Sequence, residues 1–236
     1  MSLTFDSFTL AAATADLREE PDARAHAECV EFRMDFATDP LDALDAYDGE
    51  LPILVTNRPE WEGGDAPDAG RLDALETAIE HDAVGAIDIE LAALDGDGSE
   101  QPGAARRLLE RANETGVSVV VSTHDFEATP PESELRDRLR RAAEYGDVDK
   151  IAVTSRDRSD ALSVLSVTHD LTESGIPVAT MAMGEAGRHT RAVTPIYGSK
   201  IGYAPIDPAR ATAPGQYDLR TLAELVEQLS DSASSK

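Results

Sequence analysis

Short runs of apolar and β-branched residues alternate along this chain with longer stretches in which apolar positions recur at helical spacing, and the alternation persists from end to end. That is the pattern of repeated βα units. The apolar runs predict strands at 8–13, 28–33, 52–56, 86–90, 117–122, 150–154, 177–181 and 196–198. The stretches between them predict helices at 15–26, 40–47, 69–82, 103–115, 132–145, 159–174 and 219–229. Gly116 and Gly175 stand where helices are expected to end, each leading into a strand. Eight units over 236 residues leave about 30 residues apiece, enough for a strand, a helix and two short loops. The expected architecture is α/β: one (β/α)8 TIM barrel over residues 1–230, with a Ser-rich flexible tail at 231–236. A doubly wound open sheet is the competing arrangement. Its Gly-x-Gly-x-x-Gly loop after the first strand is absent, and the glycine segment at 183–188 comes late and contains Glu185.

Strands of such a barrel are covered on both faces, so charged positions within them need a reason. Here they gather at the carboxyl ends: Glu31, Arg33 and Asp35, then Thr56 and Arg58, Asp88 and Glu90, Ser122 and His124. Members of each set are two residues apart, which puts them on one face, aimed at the mouth where barrel enzymes keep their active sites. A structural ion pair is the competing account of Glu31 with Arg33, and Asp88 and Glu90 are ambiguous in the same way. Lys150 opens the apolar run Ile151-Ala152-Val153, in a chain whose other lysines are Lys200 and Lys236. An amine can lose its proton and a guanidinium cannot. A lysine kept in an apolar strand therefore suggests a nucleophile for a carbonyl, its pKa lowered by burial and a neighbouring positive charge. A lysine reaching out to solvent from a strand end is the bland alternative. His26, His81, His169 and His189 fall in helical or loop context and read as structural or solvated.

Composition narrows the class. Lys and Arg number 21 against 46 Asp and Glu, a formal net charge of −25. Such a field repels a phosphate backbone, so nucleic acid is not an expected partner. Hydrophobic residues make up 41% of the chain and recur in periodic segments, which argues for a packed core rather than disorder. The acid is spread in short patches, as suits a solvated surface in high salt, where screening removes self-repulsion. No apolar run approaches the roughly 20 residues that span a bilayer, and no basic-then-apolar leader opens the chain. The expectation is a soluble cytoplasmic protein. The single cysteine, Cys29, excludes an intramolecular disulfide and a cysteine zinc cluster; no His cluster has ligand spacing, so neither metal nor other cofactor is expected.

The ordered motifs resemble one family, type I 3-dehydroquinate dehydratase. Glu31-Phe-Arg33-Met-Asp35 is similar to the family's Glu-x-Arg-x-Asp, and Thr56-Asn-Arg58 with Glu62-Gly63-Gly64 to its Thr-x-Arg and Glu-Gly-Gly. Asp88-Ile-Glu90, Ser122-Thr-His124, Asp147-Val-Asp-Lys150, Gly184 through Arg191 and Ala213-Pro214-Gly215-Gln216 follow in family order. The resemblance implies a Schiff-base hydro-lyase in which Lys150 forms the imine, His124 is general acid and base, and Glu62 orients that imidazole. It further implies that Arg191 holds the substrate carboxylate, and that Glu31, Arg33, Arg58, Thr212 and Gln216 bind hydroxyls or steady those that do. Thr190 and Thr212 stand where the family usually has serine, and each keeps a hydroxyl. The small-molecule substrate would be 3-dehydroquinate, and an isologous homodimer is the expected assembly. The loop at 200–216 is a candidate lid. Two other readings stay open on the residues themselves: a class I aldolase or transaldolase, which also uses a lysine imine in a barrel, and a non-catalytic carboxylate-binding barrel.

Overall fold

The computed structural model describes residues 3–96, 103–210, 213 and 215–234, with side chains through Ser230. Eight strands run β1 (Thr9–Thr14), β2 (Cys29–Arg33), β3 (Ile53–Thr56), β4 (Val84–Glu90), β5 (Ser118–Asp125), β6 (Val148–Thr154), β7 (Val178–Met183) and β8 (Ile201–Pro205). All paired neighbours are parallel, in the order β7-β6-β5-β4-β3-β2-β1-β8. Sequential parallel pairing with helical crossovers bends the sheet round on itself. The seam lies between β7 and β8. There the Lys200 N–H donates to the Val178 carbonyl at 2.7 Å, and Ser199 Oγ accepts from the Thr180 N–H at 3.2 Å. The result is a nearly closed barrel, and no described helix is long and apolar enough to cross a membrane.

Inside, alternate residues of the strands divide the barrel by height. The lower half is apolar, packed by Ala11, Cys29, Leu54, Ala86, Val120, Val148, Ala179 and Ile201, with Leu3 and Phe5 from the amino terminus joining the same cluster. One step of two residues higher, the interior turns polar, with Glu31, Thr56, Asp88, Ser122 and Lys150 all buried. The outer faces of the strands pack under helices Arg71–Ala78, Ala104–Thr115, Glu132–Ala142, Arg158–Glu173 and Leu219–Ser234.

Two expectations need correction. The helix at 15–26 reduces to a 3-10 turn, Leu17–Glu19, and a four-residue α-turn, Glu20–Ala23. Pro21 lacks the N–H a helix interior needs and is admitted only in a first turn, so no helix runs through it from residue 15. The segment is instead tied down by Glu20, whose buried carboxylate accepts from Arg24 and from the backbone N–H groups of Glu50 and Leu51. The eighth strand is not at 196–198. Ile196 and Tyr197 lie exposed in a 3-10 turn, Thr194–Tyr197, opened by Pro195 and closed by Gly198 in the left-handed region. The strand follows at Ile201–Pro205, inside the stretch read as loop. Its outward residue Gly202 has no side chain because a Cβ would stand 2.7 Å from the Phe8 ring.

β5 and β6 are longer than their apolar runs, so His124 lies within β5 and Lys150 is the third residue of β6. Alternation sends Lys150 inward and Asp149 outward under the helices. Asp149 is buried, and its Oδ1 meets no partner among the described residues. Burial, with Asp147 nearby, pushes its carboxyl up to about 8. The folded protein therefore keeps a proton that the unfolded chain releases near pH 4, and stability drains away as pH rises from about 4 to about 8. In denaturant unfolding, Asp149→Asn is expected to gain on the parent by on the order of 3 kcal/mol between pH 5 and pH 8. Parallel pH profiles for the two proteins would contradict this account of Asp149.

Candidate active site

The carboxyl ends of the strands open into a cavity lined by Glu31, Arg33, Arg58, Glu62, His124, Lys150, Met181, Met183, Arg191, Tyr203 and Gln216 among others. Of the residues singled out from the sequence, Glu31, Arg33, Arg58, Glu62, His124, Lys150, Arg191 and Gln216 thus share one space. Thr212 lies outside the described residues. Gln216 Oε1 accepts from the Ala213 N–H at 3.1 Å, and both residues line the cavity.

Lys150 is buried, not snorkelling. The charge it touches is a carboxylate rather than the expected cation: Nζ donates to Asp88 Oδ2 at 2.6 Å, and lies 4.6 Å from the centroid of the Tyr203 ring. Asp88 Oδ1 accepts from Ser122 Oγ at 2.6 Å and pairs with Arg58 Nη2 at 2.8 Å. Burial opposes ionisation of Asp88, yet Arg58 and Lys150 outweigh it and hold the carboxyl well below its ordinary range. Arg58 also donates from Nη1 to Glu90 Oε1, 2.8 Å, and to Ser122 Oγ, 2.6 Å. Glu90 in turn takes Arg71 Nη1 at 2.7 Å. Asp88 and Glu90, ambiguous in the sequence, are therefore the anionic spacers that let three cations sit together in a dry barrel.

On the neighbouring wall, Glu62 Oε1 accepts from the His124 backbone N–H at 2.9 Å and lies 3.2 Å from the imidazole Nδ1. The Phe126 ring stacks on that imidazole, centroids 5.8 Å apart. Gly63, in the left-handed region, leaves room for Phe126, whose ring would meet a Cβ there at 2.3 Å. Burial, reinforced by the positive charges of Arg58 and Lys150, lowers His124 well below the ordinary histidine range. Burial raises the Glu62 carboxyl to about 8 despite the Arg58 charge. Around neutrality the imidazole is therefore unprotonated, the form a general base requires.

Glu31 and Arg33 pair with other groups rather than with one another. Glu31 Oε1 accepts from Thr56 Oγ1 at 3.0 Å, while Arg33 grips Asp35 in a two-point contact of 2.8 and 2.6 Å and stacks on Phe36. Arg191 is the reverse case, a buried guanidinium left open. Its Nη1 reaches only Met181 Sδ at 3.7 Å, and Nε and Nη2 meet no partner among the described residues. Burial alone lowers it to about 10. It is placed by Thr190, whose hydroxyl donates to the Gly187 carbonyl at 2.8 Å and accepts from the Ala182 N–H at 3.0 Å, stitching the turn to β7. A buried cation with unused donors facing a cavity is a site for an anion.

The sequence reading missed Arg71 and Tyr203. Arg71 left a trace, because it falls on the apolar face of its helix with Leu75 and Ala78, at i, i+4 and i+7. Tyr203 left none, hidden in a stretch of Gly, Ala and Pro.

The family model for type I 3-dehydroquinase matches residues 7–233. The chain belongs to that family. A 3-dehydroquinate dehydratase of Haloarcula marismortui is 61% identical over 232 residues, covering 98% of this chain and all of the relative. One of Halobacterium salinarum is 52% identical over 228 residues, covering 96% and 100%. The crystal structure of 3-dehydroquinate dehydratase from Geobacillus kaustophilus superimposes with a TM-score of 0.81 at 28% identity, covering 98% of this chain and 93% of that one. As a type I 3-dehydroquinase the protein is a hydro-lyase, which removes the aldolase and non-catalytic readings. The acidic surface takes its place as the salt adaptation of a type I 3-dehydroquinase whose relatives come from haloarchaea.

Proposed function

We propose that this enzyme dehydrates 3-dehydroquinate to 3-dehydroshikimate through an imine on Lys150, with His124 as general acid and base. The observation that carries the reading is the convergence on one cavity of a buried amine, an imidazole backed by a carboxyl group, and an open guanidinium. Lys150 attacks the ketone as the free amine, and the proton its ammonium gives up leaves on the carbinolamine hydroxyl, so the iminium forms with no proton left on His124. The carbinolamine then loses water to give an iminium. His124 removes the proton α to it, the C–H electron pair moves into an enamine, and the enamine expels the β-hydroxyl, which departs as water with the proton from His124. Water hydrolyses the conjugated iminium, returning the amine and releasing the enone.

Glu62 orients the imidazole, and Glu31, Arg33, Arg58 and Gln216 bind the substrate hydroxyls or steady the groups that do. Arg191 holds the carboxylate. Its planar fork matches that anion in two places and a lysine ammonium in one, so Arg191→Lys is expected to raise KM roughly 10²-fold with a much smaller change in kcat. An unchanged KM would move the carboxylate site elsewhere. The overall reaction is tested by the rise of enone absorbance when 3-dehydroquinate is added in molar salt. A folded protein that produces no enone would refute the proposal.

A further inference from the structure

Glu62 sits in a short loop whose ends are fastened by the protein backbone. The Ala66 N–H donates to the Arg58 carbonyl at 3.0 Å and the Gly64 N–H to the Pro59 carbonyl at 3.0 Å. Between them runs a single 3-10 turn, Glu60–Glu62. Successive side chains of such a turn point about 120° apart, so fixing one fixes its neighbour. The neighbour of Glu62 is Trp61, the one tryptophan of the chain, 41% exposed and outside the cavity.

An exposed indole is normally incidental, but this one has two partners. The Arg71 guanidinium carbon lies 5.6 Å from its ring centroid, and its Nε1 donates to Asp68 Oδ1 at 3.4 Å. The same Asp68 oxygen accepts from Arg71 Nε at 3.2 Å. Arg71 is itself anchored at its side chain and its backbone. Its side chain is fully buried, Nη1 is held by Glu90 Oε2, and Asn57 Nδ2 donates to its carbonyl at 3.0 Å. Glu90 carries the contact on to Arg58. An unbroken chain of contacts therefore joins the outer face of the turn to the charged floor of the site, while the inner face presents Glu62 to His124.

We propose that Trp61 and Arg71 form a clamp that positions Glu62, and through it His124, for proton transfer. Both are positioning residues, because neither reaches the reacting atoms. The proposal rests on the reading of His124 as acid and base given above. A loosened clamp lets the Glu62 carboxyl group wander while leaving Lys150 in place on β6, so proton transfer suffers and imine formation does not.

The test compares Trp61→Leu and Trp61→Phe with the parent, measuring kcat, KM and borohydride trapping of 3-dehydroquinate on the protein. Trp61→Leu is expected to lose about tenfold in kcat, with KM within about twofold and trapping retained; Trp61→Phe, which restores a ring over Arg71, should come back to within about threefold of the parent. A Trp61→Leu enzyme with parental kcat overturns the clamp. So does one that loses trapping in step with kcat, because the damage then reaches Lys150, and so does a Trp61→Phe enzyme no better than Trp61→Leu. Failure of the parent itself to trap would strike the imine reading instead, leaving the clamp to stand or fall on the kcat ratios. Exposure of Trp61 predicts an unchanged melting temperature for both variants, which separates positioning from folding.

Discussion

Lys150→Met is expected to lower kcat by at least ~10⁵-fold while the protein remains folded. The size follows from what the amine does: a ketone is a poor sink for the electrons left by α-deprotonation, and converting it to an iminium lowers that barrier by many kcal/mol. Methionine keeps the length and the apolar stem, so the space under Lys150 stays filled and the Tyr203 ring keeps a neighbour. Asp88 keeps Arg58 at 2.8 Å and the Ser122 hydroxyl at 2.6 Å on Oδ1, so its charge stays paired although Oδ2 loses the amine. The loss should therefore be chemical rather than structural, visible as absent enone production by a variant that remains folded, at a stability cost of about 1–3 kcal/mol for the unpaired Oδ2. Residual activity within tenfold of the parent would mean that the amine is not the nucleophile.

His124→Ala should cost about 10³- to 10⁴-fold in kcat, the range of a lost general acid and base, and should still capture the substrate on Lys150. Two steps of the proposed chemistry, α-deprotonation and hydroxyl protonation, use the imidazole, whereas the carbon–nitrogen bond does not. The parent carries a pH signature of the same residue. A histidine with a lowered pKa stays unprotonated as pH falls through 6.5, so the acid limb of kcat/KM attributed to it should lie below that value. Were His124→Ala fully active, the base would have to be sought elsewhere in the cavity.

The barrel was legible because short apolar runs alternate with longer stretches of helical period from end to end, the signal of repeated βα units. Seven of the eight strands were located on those runs. The eighth was missed because its outward positions, Gly202 and Ala204, are small to admit Phe8 and neighbouring packing, so the segment reads as a loop while Ile196 and Tyr197 imitate a strand. Site residues came through spacing by two and through the scarcity of lysine. Their partnerships did not. That Asp88 and not a cation would touch Lys150, or that Arg71 would brace Glu90, depends on how strands β3 to β6 bring separate positions to one height, which the pairing register fixes and no local pattern displays.

Covalent capture by one particular amine is the claim from which the other roles take their meaning. Peptide mass mapping after borohydride treatment of the enzyme with 3-dehydroquinate addresses it directly, since the chain has only Lys150, Lys200 and Lys236 to modify. One reduced ligand on the peptide that contains Lys150, and none on the Lys150→Met protein, is the predicted result. An active enzyme that acquires no ligand, or acquires it on Lys200 or Lys236, would contradict the account.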